Sequence, residues 1–340
     1  MAIKKIGKQT VKFTAPPYVT ATATTVGPKE GEGPLRNYFD TILSDDLYGE
    51  NSWELAESKM LRESVKSAIQ NADKNITDMD YMLSGDLLNQ LMSASFAARD
   101  LGIPFFGLYG ACSTMAESLS LGAMLIDGGY ADYLVAVTSS HFSSAERQYR
   151  FPLELGNQRA LTAQWTVTGS GAAVLSNIGQ GPQITHVTTG KVVDLGIKDA
   201  NNMGAAMAPA ATDTIATHFQ DTGFDPESYD LIVTGDLGAI GKEITEEMVF
   251  DKGYNITKVY NDCGLMIFDN QAQDTHAGGS GCGCSAAVFC GYIYKKMMEK
   301  KLNKVLLVST GALLSTTSSQ QGQSIPGIAH AVTIVNTRER

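Results

Sequence analysis

Cys112 is the residue around which any chemistry in this 340-residue chain would be organised. It stands in the run Gly110-Ala-Cys-Ser-Thr114, between a strand-like stretch at 105–109 and a long apolar segment beginning at Met115. That pattern predicts a strand-to-helix turn with the thiol over the first helical turn. Unpaired backbone N–H groups and the helix dipole stabilise negative charge there, and both lower a thiol's pKa. Cys112 is thus a candidate nucleophile or anion-site residue. The plainer reading is a small cysteine buried at a tight turn.

The spacing recurs. A shift of 172 residues carries Cys112-Ser113 onto Cys284-Ser285 and Tyr133-Leu-Val-Ala-Val-Thr138 onto Val305-Leu-Leu-Val-Ser-Thr310, without a gap. Upstream, Tyr81-Met-Leu-Ser-Gly-Asp86 matches the run from Tyr229 to Gly235-Asp236, and downstream Gly169-Ser-Gly-Ala-Ala-Val174 resembles Gly327-Ile-Ala-His-Ala-Val332. Self-similarity on this scale predicts two structural halves, 1–182 and 183–340, and not a short-period solenoid. Packed as a pseudo-dimer, the halves would turn two helix N-termini toward one cleft.

The elements that must position these residues alternate between strand and helix patterns. Alternation of that kind predicts α/β architecture with βαβ units on a mainly parallel sheet, where ligands bind beyond the carboxyl ends of the strands. Asp86, Cys112 and Ser139 lie at such ends in the first half, and Asp236 and Gly311 in the second. A helix is expected from an Asn51 cap with Glu54 completing a capping box. Another runs over 87–101 and is closed by Gly102 and Pro104, and Pro209 opens a third that ends at Gly223. Residues 140–165 read as a long polar insertion, the kind of segment that covers sites. Its Arg147, Arg150 and Arg159 are the densest basic feature of the chain, although a solvated loop with surface arginines fits the same residues.

Composition excludes several classes. With 43% apolar and 18% charged residues, the chain is globular and not disordered. A net charge of −10 argues against nucleic-acid binding or bulk attraction to anionic membranes. No apolar run reaches a membrane span and no signal peptide opens the sequence, so an intracellular protein with at most peripheral membrane contact is expected. Five cysteines, an odd number, argue against a disulfide framework. Cys282-x-Cys284 with Cys263 and His276 lacks the spacing of zinc ligands, so neither a metal site nor a cofactor is expected.

Two tiers of resemblance follow. Ala94-Ser-Phe-Ala-Ala-Arg-Asp-Leu101-Gly-Ile-Pro, Gly110-Ala-Cys112-Ser and Thr166-Val-Thr-Gly-Ser-Gly-Ala-Ala-Val-Leu resemble the thiolase and ketoacyl-synthase superfamily. That likeness implies a duplicated five-layer α/β/α/β/α fold with two pseudo-twofold-related halves. More narrowly, Gly85-Asp-Leu-Leu-Asn-Gln90, Glu146-Arg-Gln-Tyr-Arg150, Met207-Ala-Pro-Ala, Asn261-Asp-Cys-Gly-Leu-Met266, Ala277-Gly-Gly-Ser-Gly281 and Gly311-Ala-Leu-Leu-Ser315 resemble the stage V sporulation protein AD family over nearly the full length. This resemblance implies a thiolase-like protein of the developing spore that binds dipicolinic acid (pyridine-2,6-dicarboxylate), free or as its calcium chelate. It also implies uptake with a membrane transport assembly, peripheral to the inner spore membrane, and a possible homodimer.

Superfamily enzymes pair the cysteine with two second-half His/His or His/Asn groups. Aligned on the repeat, Ser280 and Asp236 stand at those positions, and a carboxylate near Cys112 would raise its pKa and repel an oxyanion. A binding protein is therefore expected, with ligand contacts among Cys112, Asp86, Asn89, His141, Arg147, Arg150, Asp236, Asn261, Ser280 and His330. Arg147 and Arg150 would be the carboxylate clamp. The alternative is a Cys112-dependent acyltransferase or condensing enzyme acting on acyl-CoA, with His276 or His330 as its base.

Overall fold

The structure, a computed structural model, describes residues 4–149 and 159–336. Among the described residues, ten strands make the main path of a twelve-stranded sheet, in two blocks of five, with two short strands, Thr10–Lys12 and Thr41–Ile42, pairing off it. The first block holds β1 (Tyr18–Val26), β2 (Tyr81–Gly85), β3 (Phe105–Gly107), β4 (Tyr133–Ser140) and β5 (Gly169–Ser176). The second holds β6 (Gln183–Thr188), β7 (Leu231–Thr234), β8 (Tyr260–Asp262), β9 (Lys304–Ala312) and β10 (Gly327–Val335). From one edge to the other the order is β3-β2-β4-β5-β1-β6-β10-β9-β7-β8, so each block repeats the other's strand order outward from the centre. Only Tyr18 and Gln183 pair across the β1–β6 junction.

The mainly parallel sheet expected from alternation needs correcting. In the first block β2 runs parallel to β3 and β4, whereas β5 lies antiparallel to both β4 and β1. The second block repeats this mixture, with β7 parallel to β8 and β9, and β10 antiparallel to β9 and β6. β5 enters the sheet at the end where β4 leaves it, Gly169 pairing with Ser140, which an antiparallel pair requires.

Helices α1 (Trp53–Asn71) and α2 (Met92–Leu101) cover the first block, and α5 (Met203–Thr222) and α6 (Gly238–Asp251) cover the second. Between the blocks lie α3 (Thr114–Asp127) and α7 (Cys282–Ala287), the latter continued by a π-helical turn and by Tyr294–Met298. α3 packs on β4 and on β9 and β10, while α7 packs on β4 and β5. The layers are α/β/α/β/α. A helix clad by sheet on both sides must be apolar all round. Accordingly Met115, Ala116, Leu119 and Ala123 of α3, and Val288, Phe289, Cys290, Ile293 and Met297 after α7, are all fully buried. Among the described residues no helix is long and apolar enough to cross a membrane.

Local signals explain the outer helices, with three corrections. α1 is capped by Ser52, whose Oγ accepts from Leu55 N at 3.3 Å; Asn51 lies one residue outside. Its inner face holds Ala56, Met60, Leu61, Val65, Ala68 and Ile69, all buried, while Trp53 at its start is half-buried. Pro209 does not open α5 but sits inside it, on the buried face packed against β10. The insertion starts as a helix, α4 (Phe142–Tyr149), and not as a loop. The stretch 150–158, including Arg150, lies outside the described residues.

Candidate active-site cavity

Cys112 is presented by a backbone elbow. Ala111, just before it, has φ +49°, a conformation that a non-glycine residue holds only when its surroundings enforce it. Gly110 N donates to Thr114 Oγ1 at 3.1 Å, while Ser113 Oγ donates to Gly110 O and Thr114 Oγ1 to Ala111 O, each at 2.7 Å. The amides of Ser113 and Thr114 also turn back, onto Gly110 O and Ala111 O at 3.0 and 3.3 Å. Those N–H groups, expected from the sequence to face the thiol, are consumed by the turn itself.

The thiol meets a carboxyl group instead. Cys112 is set against Asp236, whose carboxylate accepts from Thr310 Oγ1 at 2.7 Å, Gly281 N at 3.0 Å and Ser280 Oγ at 3.1 Å. Burial first, and the Asp236 charge second, push the Cys112 thiol well above its ordinary value. The expectation of a helix-activated, lowered thiol is overturned: the sulfur sits buried beside an acid. Burial raises Asp236 as well, against the lowering effect of its hydrogen bonds to Thr310, Cys112, Gly281 and Ser280. Asp262, next to it in space, closes the turn after β7 by accepting from Leu237 N at 2.9 Å and Gly238 N at 3.0 Å.

In front of Cys112 and Ser280 lies a cavity of about 180 Å³. A cavity of about 150 Å³ accommodates benzene, so this one has room for one ring with small substituents. Its polar side chains are Cys112, Glu146, Thr166, Asn201 and Ser280, set among apolar walls from Leu87, Ala145, Met203 and Leu314. Glu146 is buried on α4 and accepts from Thr166 Oγ1 at 3.1 Å. Sequence reasoning missed Glu146, Thr166 and Asn201. The first two stand inside motif runs quoted above and could have been found there; Asn201, in an irregular stretch before α5, carries no signal.

The other expected contacts are dispersed. Asp86 is buried and accepts from Ala94 N at 2.7 Å and Leu88 N at 2.8 Å, bending the chain after β2. The exposed Asn89 meets Gln148 of α4 through its backbone N–H, at 3.2 Å. His141 donates from Nε2 to Asp46 O at 2.8 Å and accepts from Ser143 N at 3.1 Å, fixing the start of α4; burial lowers its pKa. Arg147 does not clamp the cavity. It pairs with Glu54 and lies over the Trp53 ring at 5.6 Å. Asn261 accepts from Asp262 N at 2.9 Å on the edge strand β8. His330, on β10, accepts from Gly190 N at 3.2 Å and is pushed down to about 4 by burial. His276 is held by Ala160 O at 2.8 Å and Asp274 at 3.1 Å. None of these seven side chains lines the cavity.

Buried acids also set the pH response. Glu30 is raised to about 8, chiefly by burial, and its Oε1 accepts from Thr168 N at 2.9 Å. Glu57, bound by Ser144 Oγ at 2.7 Å and Ser139 Oγ at 3.0 Å, is raised by burial and then by Asp86. A carboxyl whose folded pKa lies above its unfolded value makes the folded state bind more protons. Stability is then fully present below the ordinary carboxyl range and is lost as pH climbs toward 8. The melting temperature is expected to fall steadily across that window, with Glu30→Gln flattening the profile. A parent protein equally stable throughout would contradict it.

Comparison with known proteins follows the geometry. The stage V sporulation protein AD family matches residues 7–335. The stage V sporulation protein AD of Bacillus subtilis (strain 168) is 47% identical over 330 residues, covering 97% of both chains. Among solved structures, the 3-oxoacyl-[acyl-carrier-protein] synthase III of Aquifex aeolicus VF5 aligns with TM-score 0.61 at 12% identity, covering 94% of this chain and 99% of that one. The corresponding synthase III of Xanthomonas oryzae pv. oryzae KACC10331 aligns with TM-score 0.59 at 16% identity, covering 96% and 100%. These likenesses bear on the fold alone, which is thiolase-like. By family match, identity and the duplicated layers around Cys112, the chain belongs to the stage V sporulation protein AD family.

Proposed function

We propose that this sporulation protein binds dipicolinate in the Cys112 cavity and serves its uptake into the developing spore, working with a membrane transport assembly at the inner spore membrane. The observation that carries the reading is the buried Asp236 carboxyl set against the Cys112 thiol. It leaves a thiolase-like cavity intact while removing the reactive thiolate that acyl transfer requires. The volume, about 180 Å³, matches one substituted ring. Family membership supplies the sporulation context. Acyl transfer is disfavoured because neither His276 nor His330 lines the cavity.

Arg147 does not neutralise the ligand, since Glu54 holds it. Calorimetric titration with dipicolinate, with and without calcium, tests the proposal. One ligand per chain is expected, and Ala145→Phe should abolish binding by filling the space beside Glu146. Undiminished binding by that variant would place the ligand elsewhere.

A further inference from the structure

We propose that Glu57, a carboxyl group outside the Cys112 cavity, positions the α4 wall of that cavity by donating its own proton to Ser144 and so seating the helix. That role matters through the ligand, so the inference rests on the dicarboxylate reading above. Glu57 is 1% exposed and reaches from α1 across the connection between β4 and α4. Its Oε1 lies 3.0 Å from Ser139 Oγ at the end of β4, and its Oε2 lies 2.7 Å from Ser144 Oγ on α4. Ser144 Oγ also lies 3.2 Å from His141 O, yet a hydroxyl has one proton to give. With Glu57 ionised, Oε2 and His141 O compete for it. With Glu57 neutral, Oε2–H donates to Ser144, Ser144 donates to His141 O, and Ser139 donates to Oε1, so every group is satisfied. The next residue, Ala145, lines the cavity, and its amide closes on the same His141 O at 3.0 Å. The seat of Ser144 therefore sets the position of the wall.

The surroundings of Glu57 favour its neutral form. Burial acts first, followed by Asp86 in the turn after β2, with Glu54 on α1 adding a further acid. Cys282 of α7 is a thiol held well above its ordinary value, so it brings no charge. On α4, Arg147 is bound to Glu54 and Glu146 accepts from Thr166. His141 is lowered by burial. β1, β4 and β5 carry no charged residue, and Arg99 and Asp100 of α2 pair with each other.

The chain has two tryptophans, and both report on α4: Phe142 stacks on Trp165 at 3.9 Å, and Arg147 lies over Trp53 at 5.6 Å. The test reads their fluorescence, and the affinity for dipicolinate, in the full chain from mildly acidic to mildly alkaline pH. A raised carboxyl keeps its proton below its folded pKa and loses it above, so the seat is intact at the acidic end and released at the alkaline end. In the parent, emission should shift and affinity fall as pH rises. Glu57→Leu, which has no donor, should show the released emission throughout. It should also bind about fivefold more weakly at the acidic end, the worth of one buried hydrogen bond. Glu57→Gln accepts at Oε1 and donates from Nε2, so it should rescue both readings and remove their pH dependence. A role in packing alone would not separate the two variants in this way. Should Glu57→Leu fail to fold, Ser144→Ala breaks the same chain of hydrogen bonds and should give the released emission and the weaker binding. An alkaline shift that persists unchanged in Glu57→Gln, or a Ser144→Ala protein with the parent's emission and affinity, would overturn the inference. A parent that shows the emission shift yet binds no dipicolinate would overturn the dicarboxylate reading and uphold the seating of α4 by Glu57.

Discussion

Iodoacetamide should label Cys112 slowly at neutral pH, and Asp236→Asn should accelerate that labelling by about tenfold or more. Alkylation rate follows the thiolate fraction. In the parent, burial and the adjoining carboxyl hold the thiol well above its ordinary value. Asparagine preserves the shape and keeps one acceptor oxygen for Gly281 N, its NH2 turning to Thr310 Oγ1, which can accept it; it removes the negative charge that opposes ionisation. Each unit by which the thiol falls multiplies the thiolate about tenfold while the pKa remains above the working pH. Acyl-CoA turnover should be absent in the parent, because no histidine is among the described residues that line the cavity. Mass spectrometry of the labelled Cys112 peptide against time measures the effect. A parent thiol labelled as fast as a free cysteine, or an unchanged rate in Asp236→Asn, would show that the acid does not control the sulfur.

Gly311→Ala should be among the most damaging single substitutions in the chain. An added Cβ would lie 2.3 Å from Gly110 O and 3.1 Å from Ser113 N, against the backbone of the elbow that presents Cys112. Neither side can yield cheaply. β9 is held at Gly311 by pairing with Ile328, and the elbow is already strained at Ala111. Overpacking of backbone on backbone is expected to cost about 3 kcal/mol or more. For a chain of this length that is a fall of roughly 4 °C in melting temperature, from the per-residue entropy of unfolding. Ligand binding should weaken as well, since the displaced elbow moves Cys112. Gly322→Ala is not a neutral comparison, because its φ is +70°, but it meets no atom within 4 Å and isolates strain from collision. Melting curves and ligand titrations of both variants check this. A Gly311→Ala protein as stable as the parent would contradict a tight backbone contact between β9 and the Cys112 elbow.

Much of the architecture was legible because repetition is a property of the sequence itself. The ungapped shift of 172 residues matches Cys112 to Cys284, and the strand order appears twice around the β1–β6 junction. The inner face of α1 was legible for a similar reason, since apolar spacing along a helix is a local code. Sheet direction was not. The pairing of Gly169 with Ser140 that sets β5 antiparallel is a long-range register, and an alternation of strand and helix patterns does not encode it.

Site chemistry divides along the same line. That a cysteine stands at a strand-to-helix turn, and that acid and serine replace the expected polar partners, follows from the order of residues in the two halves. Which groups share a cavity does not. Glu146 and Asn201 are 55 residues apart, and they line the same space as Cys112 only because α4 and the segment before α5 approach the elbow. Arg147 shows the converse. Its type and position suited a carboxylate clamp, yet on an eight-residue helix a side chain points where the helix phase sends it, here toward Glu54 and Trp53. The thiol's ionisation was likewise decided in three dimensions. The sequence by itself determined that a cysteine begins a buried helix, a setting that lowers a thiol's pKa when its amides are free; tertiary packing turned those amides inward, removed water and set Asp236 against the sulfur, and desolvation beside a like charge outweighs a helix dipole.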